Sequence, residues 1–355
     1  MGNIWLFCKF INVRKTMKVC IIGDFSEYFD EGLKNIAHSI ADNLSRISNV
    51  ELLKINVKKI YSFSCLKRIK NFLPDIIHYI PGPTNKSIVF LKFLKIYLRN
   101  NSKIVLSTPY PLCNDIMFKL FFFKPDHVFS SSNSFDIRMK NIGISSSLLS
   151  NGVDIQKFCP VDDCEKDKLK AKYNIAKDSY ILLHVGHIKK NRNLESILDL
   201  SKNNQIVVVA SKYLEMDAKI RERLISFGVI IVEDYIPEIE EFYQLSDCYI
   251  FPVKPGNSIS NPMSVLEAMS VNLPVICTRF DGIQSFFSEG NGLVFVNGSQ
   301  DFQNAVENIK DGESKISTRR KVEPYSWQKI SRDIKKIYDN LLEEGDAESW
   351  EKKDN

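Results

Sequence analysis

The sequence predicts an α/β protein made of two doubly wound, Rossmann-like domains that face one cleft. Three observations carry the prediction. The chain has 355 residues, long enough for two domains that each bury a core. Short apolar runs alternate with stretches of helical period, the pattern of parallel sheets joined by crossover helices. The alternation runs twice, interrupted at residues 150–160 (SNGVDIQKFCP), where Asn151-Gly152 is a turn signal and Pro160 closes the segment.

In the first half, strands are expected at 18–23, 50–57, 75–80, 103–107, 127–130 and 146–149, with helices at 32–47, 85–100 and 133–141. In the second half, strands are expected at 180–186, 205–210, 229–232, 248–251, 273–277 and 292–296, with helices between them. Residues 326–343 (SWQKISRDIKKIYDNLLE) place Trp327, Ile330, Ile334, Ile337, Tyr338 and Leu341 on one helical face. The expected organisation is an extension at 1–16, an N-terminal domain at 17–150, a C-terminal domain at 151–325, the helix at 326–343, and a polar tail at 344–355 that frays. The extension, MGNIWLFCKFINVRKT, has a short apolar stretch but no small-residue cleavage site after it. Its Met1-Gly2-Asn3 start is discounted as a myristoylation site because Leu6 stands where Ser or Thr is needed.

Most of the chemistry lies in residues 247–278, DCYIFPVKPGNSISNPMSVLEAMSVNLPVICT, which read as strand, polar loop, helix and strand. Pro262 falls near the first helical turn, where its missing N–H does no harm. A loop feeding a helix N-terminus after a strand presents backbone N–H groups and a positive dipole end, which suits a phosphate. An ordinary βαβ unit fits the same pattern. A second loop, HVGHIKKNRNL at 184–194, follows another apolar strand; Gly186 permits close backbone approach, and Lys189, Lys190 and Arg192 supply cations. The first strand ends in GDFSEYFDEG without a GxGxxG fingerprint, which argues against a dinucleotide-binding dehydrogenase.

NPMSVLEAMSVNLPVICT resembles the signature helix of the family 4 (group 1) glycosyltransferases, which use nucleotide-sugar donors on a GT-B fold. Residues 150–160 are similar to that family's interdomain linker, and 184–194 to its diphosphate-binding loop. The resemblance is carried mainly by the C-terminal half. It implies that Glu267 grips the donor's ribose, a task suited to two carboxylate oxygens facing vicinal hydroxyls. It also implies that Gly186, His187, Lys190 and Arg192, with Asn261 and Ser264, bind the donor diphosphate. Here His187 takes the family's arginine position and Arg192 its lysine position. Gly32, after a long loop, stands where the family's N-domain bears a glycine loop, and helix 326–343 is similar to the family helix that crosses back to the N-domain.

Two positions depart from the pattern. Ile259 occupies the place of the first signature glutamate, and the family's HxH reads His78-Tyr79-Ile80. The implied activity is retaining transfer of a sugar from a nucleoside diphosphate sugar to a carbohydrate or lipid-linked acceptor. His78 and Arg192 are the candidate catalytic residues. For His78 a base or acceptor ligand and a core histidine bonded to a carbonyl both remain open. In a retaining reaction the leaving diphosphate oxygen can itself take the acceptor proton. Ile259 and the reduced HxH leave open a catalytically weakened sugar-nucleotide-binding or scaffold subunit. The fold leaves open a nucleotide-sugar epimerase or phosphorylase.

Composition narrows the rest. Eight cysteines lack any CxxC pair and five histidines lack any HExxH, so neither a disulfide framework nor a zinc site is expected. No Asp-x-Asp triplet occurs, and no metal or other cofactor is expected beside the nucleotide-sugar co-substrate. A reducing cytoplasm is the expected compartment. No apolar run approaches the roughly twenty residues that span a bilayer. Charge is uneven: residues 1–150 hold 21 Lys+Arg and 10 Asp+Glu, leaving 27 against 33 for 151–355. In the basic half aromatics interleave with lysine, as in YSFSCLKRIKNF, IVFLKFLKIYLR and FKLFFFK. That pattern suits ordinary crossover helices or a peripheral site on an anionic membrane. Nucleic acid is not expected, because no recognition motif is present.

Overall fold

Parallel strands covered by helices on both sides must be apolar throughout. The first strand, β1 (Met17–Gly23, MKVCIIG), meets that demand at every position but Lys18, which lies near its start and is only partly buried. The computed structural model describes residues 16–26, 32–99, 101–109, 124–210, 216–234, 236–254, 261–312 and 315–351. After β1 come α1 (Gly32–Ser45), β2 (Val50–Asn56), α2 (Phe63–Phe72), β3 (Ile76–Tyr79), α3 (Asn85–Leu98), β4 (Lys103–Thr108), β5 (His127–Ser130), α4 (Asn133–Asn141) and β6 (Ser146–Leu148). These strands pair in parallel in the order β2-β1-β3-β4-β5-β6. α1 packs on one face of the sheet, against Val19, Ile21 and Val105; α2, α3 and α4 cover the other, against Cys20, Ile77 and Leu106. α2 lies in a stretch for which the sequence offered only aromatics among lysines. It forms because Ser62 caps it, accepting from the Cys65 N–H at 3.3 Å, and because Cys65 and Ile69 reach the core.

The second half repeats the plan. It contains α5 (Asp163–Lys172), β7 (Ile181–Val185), β8 (Gln205–Val209), α6 (Ala218–Ser226), β9 (Ile230–Val232), α7 (Glu240–Gln244) and β10 (Cys248–Phe251). Then follow α8 (Met263–Ser270), β11 (Val275–Thr278), α9 (Asp281–Gln284), β12 (Leu293–Val296), α10 (Ser299–Lys310), α11 (Thr318–Val322) and α12 (Trp327–Glu351). The parallel order is β12-β11-β10-β7-β8-β9. The strand order reverses direction between β1 and β3 in one sheet and between β7 and β10 in the other. Ligands of such sheets sit beyond the carboxyl ends of the strands at that reversal.

The chain passes between the domains twice, and the two passages are bonded together. Val153 donates its N–H to the Tyr325 carbonyl at 3.0 Å, and Trp327 donates to the Val153 carbonyl at 3.2 Å. Gly152 is required here: a Cβ would lie 2.5 Å from the Trp327 indole. α12 then lays Trp327, Ile330, Ile334, Tyr338 and Leu341 against Ile36, Ile40 and Leu44 of α1, the apolar face that the sequence displayed. The helix runs on to Glu351, past the expected end at 343 and into the segment expected to fray. No proline intervenes in 344–351 to stop it.

Candidate functional site

Between the two reversal points lies a cleft of about 620 Å³. It is lined by Gly186, His187 and Arg192 after β7, by Asn261 to Ser264 and Glu267 at the start of α8, and by Asn151 and Lys157 of the linker. From the opposite side α1 contributes Gly32, Asn35, Ser39 and Asn43. Of the residues singled out from sequence, Gly32, Gly186, His187, Arg192, Asn261, Ser264 and Glu267 therefore meet in one place.

The loop after β7 is shaped by a close backbone approach. Gly186 has φ +157°, and a Cβ on it would meet His184 Nε2 at 3.1 Å. His184 is fully buried and its Nδ1 donates to the Ile250 carbonyl at 2.9 Å, so the ring props the loop while tying β7 to β10. Burial holds its pKa down at about 3, which keeps it neutral. Arg192, in a single 3-10 turn at Lys190–Arg192, lies over the Phe251 ring at 5.5 Å, which aims its guanidinium along the cleft wall.

α8 begins at Pro262 and no side chain caps it, so its first N–H groups and its positive dipole end look into the cleft. Ser264 hydrogen-bonds the Tyr249 hydroxyl beneath it. Asn261 acts chiefly as a clamp. Its Nδ2 donates to Ser150 Oγ at 2.5 Å and its carbonyl accepts from Asn151 Nδ2 at 2.6 Å, while its buried Oδ1 has no hydrogen-bond partner among the described residues.

Glu267, one turn into α8, is half-buried. Its Oε2 accepts the Tyr243 hydroxyl at 2.6 Å, and no described residue bonds the other oxygen. Burial pushes its pKa up to about 7, against the downward pull of Tyr243 and of the Lys157 charge. Tyr243 is itself pushed well above its usual range by burial beside this carboxylate, so it remains a donor. The pair presents one carboxylate oxygen to the cleft in an environment that disfavours its charge until a ligand supplies hydrogen bonds.

Two candidates fall elsewhere. His78 is fully buried in β3, with Nδ1 bonded to the Tyr338 hydroxyl at 2.6 Å and Nε2 to Ser107 Oγ at 2.8 Å. Both nitrogens are committed and burial lowers its pKa to about 3, so it fastens α12 to the sheet instead of serving as a base in the cleft. Lys190 is exposed and is not among the residues that line the cleft. Gly32 lies at the cleft, where a Cβ would meet nothing within 4 Å. Ile259 lies outside the described residues. Sequence reasoning missed the polar stripe of α1 (Asn35, Ser39, Asn43), although its spacing of four was the available signal. Among the described residues no group of three or more His, Cys, Asp or Glu could hold a metal ion.

The two domains also touch where α4 meets α9. Asn133 donates its N–H to Ser285 Oγ at 2.8 Å, and Asp281 accepts from both the N–H (3.2 Å) and the hydroxyl of Ser134. Burial raises the Asp281 pKa, but hydrogen bonds from Ser134, Ser132 and Ser285 outweigh it and hold the group below its ordinary value.

Residues 165–329 match the family described as "Glycosyl transferases group 1". A processive diacylglycerol beta-glucosyltransferase of Bacillus licheniformis is 25% identical over 170 residues, 45% of this chain and 43% of that protein. The Escherichia coli UDP-Gal:alpha-D-GlcNAc-diphosphoundecaprenol alpha-1,3-galactosyltransferase is 25% identical over 221 residues, 55% of this chain and 54% of that protein. The chain thus spans about half the length of these curated relatives or less. Among solved structures, a glycosyltransferase from Rickettsia africae superposes with a TM-score of 0.73 at 15% identity, covering 93% of this chain and 99% of its own. Anabaena HepE, in complex with UDP and glucose, gives 0.68 at 12% identity, covering 90% and 99%. At those identities the likeness establishes the two-domain GT-B architecture.

Proposed function

We propose that this chain, whose residues 165–329 belong to the group 1 glycosyltransferases, transfers a sugar from a nucleoside diphosphate sugar to a carbohydrate or lipid-linked acceptor. The convergence of Arg192, the uncapped start of α8 and the half-buried Glu267 in one cleft carries the reading. A cleft of about 620 Å³ is within the range of small-molecule sites. In it the Gly186 loop, Arg192 and the α8 N-terminus serve the diphosphate, and the unbonded oxygen of Glu267 serves the ribose hydroxyls. A lipid-linked acceptor is supported by the names of two relatives, which act on diacylglycerol and on a diphosphoundecaprenol-linked sugar.

The commitment of His78 to Tyr338 and Ser107 supports retention of configuration. Without a side-chain base at that point, the leaving diphosphate oxygen takes the acceptor's proton on the face where the new bond forms. The protein's part is then to stabilise charge developing on the diphosphate. A panel of UDP-, GDP- and ADP-sugars, screened by calorimetry and then by proton NMR of the product, tests the reading. A glycoside with the donor's anomeric configuration is expected. An isomerised nucleotide sugar would instead identify an epimerase. Ile259, in place of the first signature glutamate, favours one second reading, a sugar-nucleotide-binding subunit with weakened turnover; nucleotide binding without product would mark it.

Two further results are expected. Arg192→Ala weakens nucleoside diphosphate binding by about ten- to a hundredfold, the worth of one charge-assisted hydrogen bond, and leaves the free sugar's binding as it was. Calorimetry that finds parental nucleotide affinity in this variant would remove the loop from the site. Turnover persists in EDTA, because Arg192 and the helix dipole supply the positive charge that a metal brings elsewhere, and no Asp-x-Asp anchor is present. Activity lost to chelator and restored by magnesium or manganese would contradict this.

A further inference from the structure

The sheet face that α2 and α3 cover, opposite α1 and α12, carries a surface that sugar transfer does not use. Each helix buries one side only: Cys65 and Ile69 from α2, and Ile88, Leu91, Leu94 and Leu98 from α3. Crossover helices ordinarily turn a polar side to water. Here Phe63 is 76% exposed, Tyr61 66%, Ile96 64%, Leu73 57% and Phe93 49%. The two helices form one continuous surface. Tyr61 meets Phe90 edge-on at 5.2 Å, Phe93 stacks on Tyr97 at 5.9 Å, and Lys70 of α2 lies 5.0 Å over the Tyr97 ring of α3.

The charge of this surface is of one sign. Residues 57–99 hold nine Lys and Arg against a single acid, Asp75, which is engaged at 2.8 Å by the Lys18 N–H. Lys59, Lys67, Arg68, Lys70 and Lys86 are exposed among the rings. Apolar side chains held in water between cations suit a surface that is anionic outside and apolar a few ångströms beneath. A lipid bilayer with acidic headgroups has that layering, and neither a polar protein face nor a nucleic acid offers a bed for Ile96 and Leu73. Among the described residues no helix is long and apolar enough to cross a membrane, so contact would be at the interface.

We propose that the α2–α3 face docks the protein on anionic lipid bilayers, with Phe63, Phe93 and Ile96 entering the headgroup layer and Lys67, Lys70 and Lys86 meeting acidic headgroups. This goes beyond sugar transfer and stands or falls separately, because vesicle binding is measured with neither donor nor acceptor present. The test floats the full chain with vesicles of phosphatidylcholine alone or with about a third phosphatidylglycerol, at low and high salt. Binding to the anionic vesicles at low salt is expected, and at least about tenfold less on neutral vesicles or in roughly 0.5 M salt. Lys67→Glu/Lys70→Glu should weaken flotation by about tenfold or more. Phe93→Ser/Ile96→Ser should also weaken it, while both variants keep the parent's circular dichroism and nucleotide affinity. Equal binding of the parent to neutral and anionic vesicles overturns the proposal, as does a charge-reversed variant that floats like the parent. Retention on a single-stranded polynucleotide that acidic vesicles fail to displace also overturns it.

Discussion

Glu267→Gln is expected to bind nucleoside diphosphates about ten- to a hundredfold more weakly and yet to be the more stable protein near pH 8. Both effects come from one carboxyl group. Its pKa in the fold is about 7, against 4.5 for an ordinary glutamate. The fold therefore binds a proton that the unfolded chain has already released. Stability contributed by the protonated group is fully present below about pH 4.5 and is lost as pH rises through about 7. Above that point the buried charge is a standing penalty on the order of 2–3 kcal/mol, which glutamine removes while still accepting from Tyr243. On the proposed reading, ribose hydroxyls would reverse the balance by hydrogen-bonding the ionised form, so nucleotide binding should release a proton near neutral pH, and parental affinity should fall as pH drops below about 7. Thermal melts at pH 5 and pH 8, with calorimetry in two buffers, decide the matter. A variant no more stable than the parent at pH 8 would refute the burial argument. Unchanged nucleotide affinity would refute the role.

The second large effect is expected at the double passage between domains. Gly152→Ala places a methyl 2.5 Å from two indole carbons of Trp327, which is 5% exposed and packed in the N-domain core. A rigid ring locked among α1 side chains has no rotamer to yield, so overpacking should destabilise the protein by about 1–3 kcal/mol, and Gly152→Val by more. The flanking Asn151 and Val153 line the cleft, so nucleotide affinity should fall with stability. The control is Trp327→Leu, in whose background Gly152→Ala should do less harm than in the parent. Chemical denaturation of the four proteins measures the cycle. Additive effects, or a Gly152→Ala protein as stable as the parent, would show that the close contact is not what glycine serves.

Both sheets were legible in the sequence because parallel strands are short apolar runs whose ends are marked by turns. The C-domain side of the cleft was legible for a related reason. Gly186, Arg192, Ser264 and Glu267 belong to local segments in which a strand hands over to a loop or helix, and chain connectivity alone carries them to the reversal point. His78 was harder, because the partner that decides its role, Tyr338, is 260 residues away. No periodicity shows a hydrogen bond across that separation. Lys190 and Arg192 differ by two positions and cannot be told apart in sequence, yet only Arg192 packs over Phe251 and lines the cleft. The α1 stripe failed for the opposite reason: Asn35, Ser39 and Asn43 look like any solvated helix face until a second domain stands over them. Glu267 was assigned by resemblance, but its Tyr243 partner and its raised pKa depend on packing between α7 and α8.

The clasp between α12 and the first sheet has a consequence for the order in which the protein can be made. The first domain leaves the ribosome first, but the part of α1 that α12 covers stays exposed until Trp327, Ile330, Ile334 and Tyr338 have been synthesised. The 260 residues between His78 and Tyr338 correspond to a wait of roughly 10–50 seconds at ordinary elongation rates. The second domain has its own two core layers, apart from the clasp, and can close before the first is finished. The half that is translated second is thus free to fold first. During that interval the apolar surface that α12 will cover is exposed to chaperones and to neighbouring chains, and a transcript truncated before residue 327 would leave it so permanently.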